Sequence, residues 1–327
     1  MNNRRKLLIA IGAAALASPL TPHAQPQTKT LRIGWLSPGS AASQAAILDV
    51  LRGGLRDIGY VEGKNLVIET RWAEGNPERV PQLAKDLAAL KVAVIVTVFT
   101  PTAIAAKQAV SDVPIVFTLV ADPTLGGLVK NLAHPGGNVT GIASVNVELA
   151  PKRLEILREV LPAVTHVAVF YRGDGLSDKG KLEATTQAAR KLGVQLLPVD
   201  TQRTSYTEAF KSAAAAGAKA AIVLFNSFSV DNRREIVDLA SKYRMATIYE
   251  NPAFVYDGGL MSYAVSQSAQ VGRAALFIDK IFKGAKPGDL PVEQPATLEL
   301  VINAKQAKAL GIKFPKEIMM RADKVIE

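Results

Sequence analysis

Residues Val92–Val98 read VAVIVTV, and the loop Phe99-Thr100-Pro101-Thr102 follows them directly. A run of apolar and β-branched residues is typical of a strand that is buried on both faces in a helix-covered parallel sheet. From residue 31 onward, similar runs alternate with stretches of helical length. This alternation predicts an α/β fold built on doubly wound parallel sheets.

The predicted elements fall into two similar series. The first has strands at 31–36, 66–70, 92–98 and 114–119, with helices at 43–58, 77–90 and 102–110. The second has strands at 166–171, 194–199, 220–225 and 246–250, with helices at 179–192, 206–216 and 230–243. Ile33 aligns with Val167 and Gly59 with Gly193, at the same offset of 134 residues. An equal offset favours a duplicated unit over a chance recurrence of local pattern.

Two facing lobes with a cleft between them follow from such a duplication. We expect the chain to cross between the lobes near residues 145, 262 and 290. Lobe one is then 31–145 plus 263–290, and lobe two is 146–262 plus 291–327. The chain length of 327 residues also predicts about two domains.

The N-terminus has the pattern of a secretory signal peptide, assigned to residues 1–24. Arg4-Arg5-Lys6 precede a 14-residue apolar stretch, Leu7–Leu20, and small residues follow. Cleavage after Ala17 or Ala24 and export by the general or the twin-arginine route stay open alternatives. An uncleaved anchor is disfavoured, because spanning a bilayer takes about 20 apolar residues. The sequence predicts a soluble periplasmic protein with no lipid anchor, since there is no cysteine to carry one.

Composition excludes most catalytic chemistry. The chain has no cysteine and three histidines, so thiolate catalysis, disulfides and zinc–thiolate sites are ruled out. It contains no Gly-rich nucleotide loop, no serine elbow and no zinc-protease motif. We therefore expect no enzyme activity, no metal and no cofactor.

The net charge does not indicate a nucleic-acid partner. It is +10 for the whole chain and +7 after removal of residues 1–24, which leaves 36 basic and 29 acidic residues. The basic residues are spread singly rather than forming a stripe with interleaved aromatic residues. We expect a monomer that binds a small solute and no nucleic acid.

Polar groups follow the predicted strands at the edge of the sheet where ligands of open α/β folds bind. Pro101 suits the first turn of a helix that Thr100 can cap, and the free N–H groups there would hold a ligand carboxylate. A plain capped helix is the alternative. Asp122 and Glu250 are candidates to accept a ligand ammonium or hydroxyl, or else are a turn residue and a solvated strand end.

Further candidates line the same loops. Asn226 and Ser227 either hydrogen-bond a polar ligand or cap the next helix. Five aromatic residues either wall an apolar ligand or belong to the core, namely Phe99, Tyr171, Phe225, Tyr249 and Tyr263.

Beyond these patterns, a series of short segments carries a resemblance to a known family: Gly34-Trp35-Leu36, Thr100-Pro101-Thr102-Ala103, Pro114–Phe117, Asp122-Pro123, Pro135–Gly141, Lys152-Arg153-Leu154, Tyr249-Glu250, Gly258–Tyr263, Lys283–Pro287, Leu290–Pro295, Glu299–Asn303 and Ala307–Gly311. With these segments the chain resembles the substrate-binding proteins of ABC transporters, including the tryptophan- and tyrosine-type binders. The resemblance extends over about residues 31–327.

The resemblance implies a type I periplasmic-binding-protein fold, in which two lobes are joined by a hinge. It also implies an exported receptor that closes over a small solute, such as an amino acid or aromatic carboxylate, and delivers it to ABC permease subunits. A periplasmic sensing module that presents the solute to a membrane receptor is the alternative. With the loop analysis, the implied ligand-binding residues are Ser37, Phe99, Thr100, Thr102, Asp122, Asn226, Ser227, Glu250 and Tyr263. Two departures from the family pattern stand at the cleft: Phe99 and Ala264 replace residues that are usually Gly.

Overall fold

Two sheets organise the chain. The first contains β1 (Leu31–Ser37), β2 (Leu66–Trp72), β3 (Val94–Val98), β4 (Ile115–Val120) and β5 (Val139–Ala143), all parallel, in the order β2-β1-β3-β4-β5. The second contains β6 (His166–Tyr171), β7 (Gln195–Asp200), β8 (Ala220–Val223), β9 (Ala246–Tyr249), β10 (Met261–Val265), β11 (Leu298–Asn303) and β12 (Lys324–Ile326), in the order β12-β11-β10-β9-β8-β6-β7. Its strands are parallel except for the antiparallel pair β10 and β11.

This computed structural model describes residues 30–124, 126–294 and 297–327. The predicted signal peptide, residues 1–24, lies outside these residues. Leu31–Glu327 form one compact unit. Within the described residues, no helix combines the length and apolar character that a membrane span needs.

Helices cover both sheets. In chain order they are α1 (Ala41–Asp57), α2 (Val80–Ala89), α3 (Thr100–Ala109), α4 (Asn146–Val160), α5 (Leu176–Leu192), α6 (Tyr206–Ala215), α7 (Ser227–Asp231), α8 (Arg233–Lys242), α9 (Ala253–Tyr256), α10 (Gln267–Phe282), α11 (Ala304–Leu310) and α12 (Lys316–Arg321). The central strands are fully buried between them, as the uninterrupted apolar run of β3 predicts.

The strand order of the first sheet recurs in the second, where β7-β6-β8-β9-β10 repeats β2-β1-β3-β4-β5. The register recurs too: Ile33 lies opposite Val94, and its counterpart Val167 lies opposite Ala220. Both halves are therefore built on one topology, as the sequence repeat predicts.

Two predicted helices differ from the structure. The helix predicted at 230–243 is two helices, α7 and α8, separated at Asn232. Asn226 and Ser229 form a reciprocal capping box, which starts α7 at Ser227, earlier than predicted. The helix predicted from Lys179 begins at Leu176, which moves Asp178 from a loop into the first turn.

The chain crosses between the sheets three times, at positions slightly later than two of the predicted ones. Residues 263–265, predicted for lobe one, pair in the second sheet as part of β10, so this crossing lies at Ser266. Glu293, predicted for lobe two, still bridges to Ile142 at the edge of the first sheet. In both cases strand pairing continues past the predicted boundary, and the rest of the predicted domain division stays a prediction.

After the second crossing, α10 returns to pack on α1 of lobe one. The two helices approach most closely at Gly54, where a Cβ atom would lie 2.6 Å from the carbonyl oxygen of Gly272. At the neighbouring Gly53 a Cβ atom would meet nothing within 4 Å. The glycine at 54 is therefore required by packing, and the one at 53 is not.

We expect opposite effects when each of these glycines is replaced by alanine. Gly54→Ala forces the two helices apart and lowers the free energy of unfolding by about 1–2 kcal/mol. Gly53→Ala raises it by about 0.5–1 kcal/mol, because alanine is the better helix former. Urea unfolding of the two variants measures both values, and equal effects would contradict the close helix contact.

Candidate functional site

A cavity of about 220 Å³ lies between the carboxyl ends of the strands of the two sheets. Lobe one contributes residues from the β3–α3 and β4–β5 connections, and lobe two contributes residues from the β6–α5 and β8–α7 connections. A larger depression of about 690 Å³, lined by Tyr171, Lys179 and Arg190 among others, opens on lobe two alone. The smaller cavity is the candidate site, because both lobes enclose it at the sheet edge where ligands bind.

The lobe-one side of the cavity is the N-terminus of α3. Thr100 and Thr102 are buried and line the cavity, and Pro101 lies in the first turn as predicted. The first N–H groups of a helix have no partner within it, and the helix dipole favours an anion there. The predicted cap is wrong, since Phe99 is the N-cap residue and makes no side-chain cap. The Thr100 hydroxyl instead accepts a hydrogen bond of 3.2 Å from the N–H of Ala121.

Aromatic rings from both lobes meet beside this helix end. The ring centroids of Phe99 and Phe225 lie 5.3 Å apart, and both residues line the cavity. Phe228 adds a third ring, with the Arg172 guanidinium 4.9 Å from its centroid. Arg172 is in turn paired with Asp174, at 2.8 Å and 3.1 Å. The two lobes are thus in direct contact at these rings.

The lobe-two side carries buried charge. Asp178, in the first turn of α5, lines the cavity and is 1% exposed. One of its oxygens accepts hydrogen bonds from the Arg172 N–H and the Asn226 side-chain amide, both at 3.0 Å. Its other oxygen lies 3.3 Å from Nζ of Lys181.

Lys181 links this carboxylate to a second one behind the cavity. Its Nζ donates to Oε2 of Glu250 at 2.8 Å, and Oε1 of Glu250 accepts from Arg153 at 2.7 Å. The backbone N–H of Phe225 also donates to Oε2, at 2.8 Å. Arg153, Lys181, Glu250 and Asp178 therefore form a buried cluster of two cations and two anions, which we call the charge cluster.

Burial and pairing shift the two carboxyl groups in opposite directions. Burial alone would raise the pKa of Glu250, but the charges of Arg153 and Lys181 and its hydrogen bonds outweigh burial and hold that pKa below its usual range. For Asp178 burial dominates, and it raises the pKa despite the opposing charge of Lys181. Glu250 is thus held ionised. The ionised form of Asp178 would be stabilised by any further cation that contacts it.

Of the nine predicted ligand-binding residues, the structure brings five to the cavity wall: Phe99, Thr100, Thr102, Asn226 and Ser227. Ser37 is fully buried and donates to the Gln44 side chain. Asp122 accepts from the N–H and hydroxyl of Thr124, at 2.8 Å and 2.6 Å, in a local turn.

Glu250 does not line the cavity but lies behind Lys181, which does, and its oxygens bind Arg153 and Lys181. Tyr263 packs against the lobe-two core, and its carbonyl oxygen accepts from Arg153. The structure thus places Ser37, Asp122, Glu250 and Tyr263 away from the wall of the cavity.

Sequence reasoning missed Asp178, Lys181 and Arg153. Asp178 and Lys181 are three residues apart and therefore share one helix face. The start predicted for this helix, Lys179, left Asp178 outside it. Arg153 belongs to a helix that the strand and helix patterns left unassigned, and its distance of 97 residues from Glu250 left no local signal.

Residues 35–326 match the protein family described as ABC transporter substrate binding protein. The chain belongs to this family. Family membership confirms the expectation that the chain is a binding protein and not an enzyme, and the two-lobe type I periplasmic-binding-protein fold is confirmed as well.

Individual relatives agree with this assignment. The chain is 25% identical over 259 residues to the tyrosine-binding protein of Clostridioides difficile (strain R20291), which covers 79% of this chain and 74% of that protein. A conserved domain protein of Vibrio cholerae is 28% identical with a TM-score of 0.85, over 91% of this chain and all of that one. The ABC domain from Streptococcus pneumoniae in complex with L-Trp is 27% identical with a TM-score of 0.82, over 91% and 100% of the two chains.

The charge cluster makes a stability prediction for this binding protein. Glu250→Gln removes one anion and leaves Arg153 and Lys181 buried with only Asp178 to balance them. Breaking a buried ion pair in this way costs about 3–5 kcal/mol of unfolding free energy. Urea unfolding at neutral pH measures the loss. In the matched control Glu293→Gln, whose partner Arg273 is half exposed, a loss below about 1 kcal/mol is expected.

The lowered pKa of Glu250 also predicts how the stability lost in Glu250→Gln depends on pH. Because the folded pKa of Glu250 lies below its unfolded value, its contribution is fully present above about pH 4.5 and is lost as the pH falls through the folded pKa. Below that pH the protonated Glu250 resembles glutamine. The stability difference between the wild type and Glu250→Gln should therefore be constant from pH 7 to 5 and narrow toward pH 3. A difference that widens on acidification would contradict the assigned direction of the pKa shift.

Proposed function

We propose that the protein is the exported solute receptor of an ABC importer, that it binds an aromatic amino acid between its lobes, and that it delivers this solute to the permease subunits after hinge closure. Export is inferred from the pattern of residues 1–24, and a periplasmic location and a monomeric state are part of the proposal. Three crossings between two similar lobes are the arrangement that permits hinge closure.

The observation that carries the proposal is a cavity with complementary ends. On the lobe-one side, the α3 N-terminus and the hydroxyls of Thr100 and Thr102 suit a carboxylate. On the lobe-two side, Asp178 lines the cavity and suits an ammonium group. Each lobe supplies one end, so an amino acid contacts both only when the lobes are closed.

The charge balance supports a zwitterion over a charged solute. The two cations and two anions of the charge cluster cancel, and Arg172 is paired with Asp174. An anion or a cation bound there would add an unbalanced charge to a site of low dielectric constant, at high cost. A zwitterionic amino acid adds none.

The aromatic character of the solute rests on the cavity wall and on the relatives. Phe99, Phe225 and Phe228 provide an apolar surface beside the polar ends. The curated relative is a tyrosine-binding protein, and the solved relative from Streptococcus pneumoniae holds L-Trp. These ligands support an aromatic amino acid as the solute.

Calorimetric titration of the chain without residues 1–24 tests the proposal. L-Tyrosine and L-phenylalanine are the probes, compared with tyramine, which lacks the carboxylate, and with 3-(4-hydroxyphenyl)propanoate, which lacks the ammonium group. We expect binding of the amino acids and a weakening of 100-fold or more for each analogue, because tyramine supplies no anion to the α3 N-terminus and 3-(4-hydroxyphenyl)propanoate supplies no cation to Asp178. Equal binding of an amino acid and its analogues would contradict the assigned ends.

A paired substitution localises the ammonium end. Asp178→Asn keeps the shape of the side chain and removes its charge, so we expect L-tyrosine binding to weaken about 10-fold to 100-fold. Asp231→Asn, at the exposed rim of the same cavity, is the matched control and should change binding less than threefold. Thermal unfolding of both variants separates loss of binding from loss of the fold. If a folded Asp178→Asn binds like the wild type, Asp178 does not contact the ammonium group.

A further inference from the structure

Phe99 and Phe225 occupy equivalent places in the two halves of the fold. Each follows the third strand of its half, and the pairing of β3 with β1 and of β8 with β6 aligns Val94 with Ala220, which puts Phe99 in register with Phe225. Both are 6% exposed and both line the cavity. The two rings are therefore matched features of the opposite lobes.

Their backbones are not matched. Phe99 has φ 67° and ψ 149°, a region that residues with a Cβ atom rarely adopt and glycine adopts easily. Its N–H donates to the carbonyl of Thr118, whereas the N–H of Phe225 donates to the Glu250 side chain. The backbone of Phe99 is therefore strained. Phe225 does not have a positive φ, so its backbone lacks this strain.

The buried residues with strain of this kind both line the cavity. In the described part of the chain, five non-glycine residues have positive φ: Glu74, Lys91, Phe99, Leu119 and Arg244. Glu74, Lys91 and Arg244 are exposed. Phe99 and Leu119 are buried and form part of the lobe-one wall. Two large apolar residues thus occupy backbone conformations that glycine would adopt without strain. Backbone strain in the wall of a binding cavity points to a functional role for the side chain.

The position of the Phe99 ring restricts what the cavity can hold. A centroid separation of 5.3 Å from Phe225 is direct ring contact, so no solute ring fits between the two. The solute side chain must lie beside this pair, in the space that Phe99 leaves. Removing the ring would enlarge the cavity on that side by about one benzene ring.

We propose that Phe99 is the specificity-determining residue of the cavity and sets the upper size of the solute side chain, so that a single six-membered ring fits and an indole does not. The inference deepens the proposed function, on which it rests. Its structural basis is the buried ring of Phe99, which lies between the α3 N-terminus and Phe225 on a strained backbone.

The test compares ligand preference in the wild type with that in Phe99→Gly, in the chain without residues 1–24. Titrations with L-phenylalanine and L-tryptophan give the ratio of the two dissociation constants. We expect the wild type to prefer L-phenylalanine, and we expect Phe99→Gly to shift the ratio toward L-tryptophan by at least tenfold. Phe99→Leu, which retains most of the side-chain volume, should shift it less. A ratio within twofold of the wild type in folded Phe99→Gly would overturn the size limit.

A second probe separates failure of this inference from failure of the proposed function. Indole has neither carboxylate nor ammonium, so it reports the apolar space alone. We expect indole to raise the unfolding temperature of Phe99→Gly and not that of the wild type. If no amino acid binds the wild type but Phe99→Gly gains indole binding, the proposed solute class fails and the size limit stands. If Phe99→Gly gains neither indole nor L-tryptophan binding, the size limit is wrong.

The strain itself has an independent readout. Alanine ordinarily stabilises a site more than glycine does, but at positive φ the order reverses. Phe99→Gly should therefore unfold at a higher temperature than Phe99→Ala. At the matched position without positive φ, Phe225→Ala should unfold at a higher temperature than Phe225→Gly. The same order at both positions would overturn the claim that the Phe99 ring is retained against backbone strain.

Discussion

The ion pair between Arg153 and Glu250 is the interaction on which the lobe-two side of the site depends. Both side chains are fully buried, and their closest atoms are 2.7 Å apart. Isolated charges at that depth would be prohibitively costly, so each requires the other. Glu250 in turn orders Lys181 and the Phe225 N–H, and Lys181 lies against Asp178 at the cavity wall. The position of the proposed ammonium site therefore follows from a pair of residues that the solute does not contact.

Arg153 also connects this pair to the crossings between the lobes. Its guanidinium donates to the carbonyl and the side-chain oxygen of Asn146, directly after the first crossing, at 3.1 Å and 2.8 Å. It donates to the carbonyl of Tyr263, shortly before the second crossing, at 2.7 Å. The second and third crossings are joined by a hydrogen bond from Ser266 to Thr297. A continuous set of contacts therefore runs from Asp178 in the cavity to the chain segments that cross between the lobes.

The fold was largely predictable from the sequence, because the pattern that marks it is local. Apolar runs such as Val92–Val98 and glycines such as Gly193 at helix ends act through neighbouring residues, and they located β1–β4 and β6–β9 with the helices between them. The pattern did not predict β5, β10, β11 and β12, nor the helices α4 and α9–α12. The site was predicted less well, because a strand end shows where a residue lies and not what it contacts. Glu250 was correctly placed at the sheet edge, but its partner Arg153 is 97 residues away in the chain. The local pattern did not mark Phe99 as strained, and the signal came from the resemblance alone, since the glycine usual at this position of the family suits a positive φ.

The two halves share one topology and yet divide the work of binding unequally. Gln44 and Asp178 are equivalent positions, separated by the repeat offset of 134 residues, and both lie in the first turn of their helices, α1 and α5. Gln44 is neutral, whereas Asp178 is charged. By strand register Thr118 is the counterpart of Glu250, again neutral against charged. Lobe one consequently offers helix N–H groups, hydroxyls and a strained apolar wall, and it holds no buried ion pair among its described residues. Lobe two carries the buried charge. A solute with a carboxylate, an ammonium group and an apolar side chain would find its complement only where the halves meet, so in the proposed function closure and recognition are the same event.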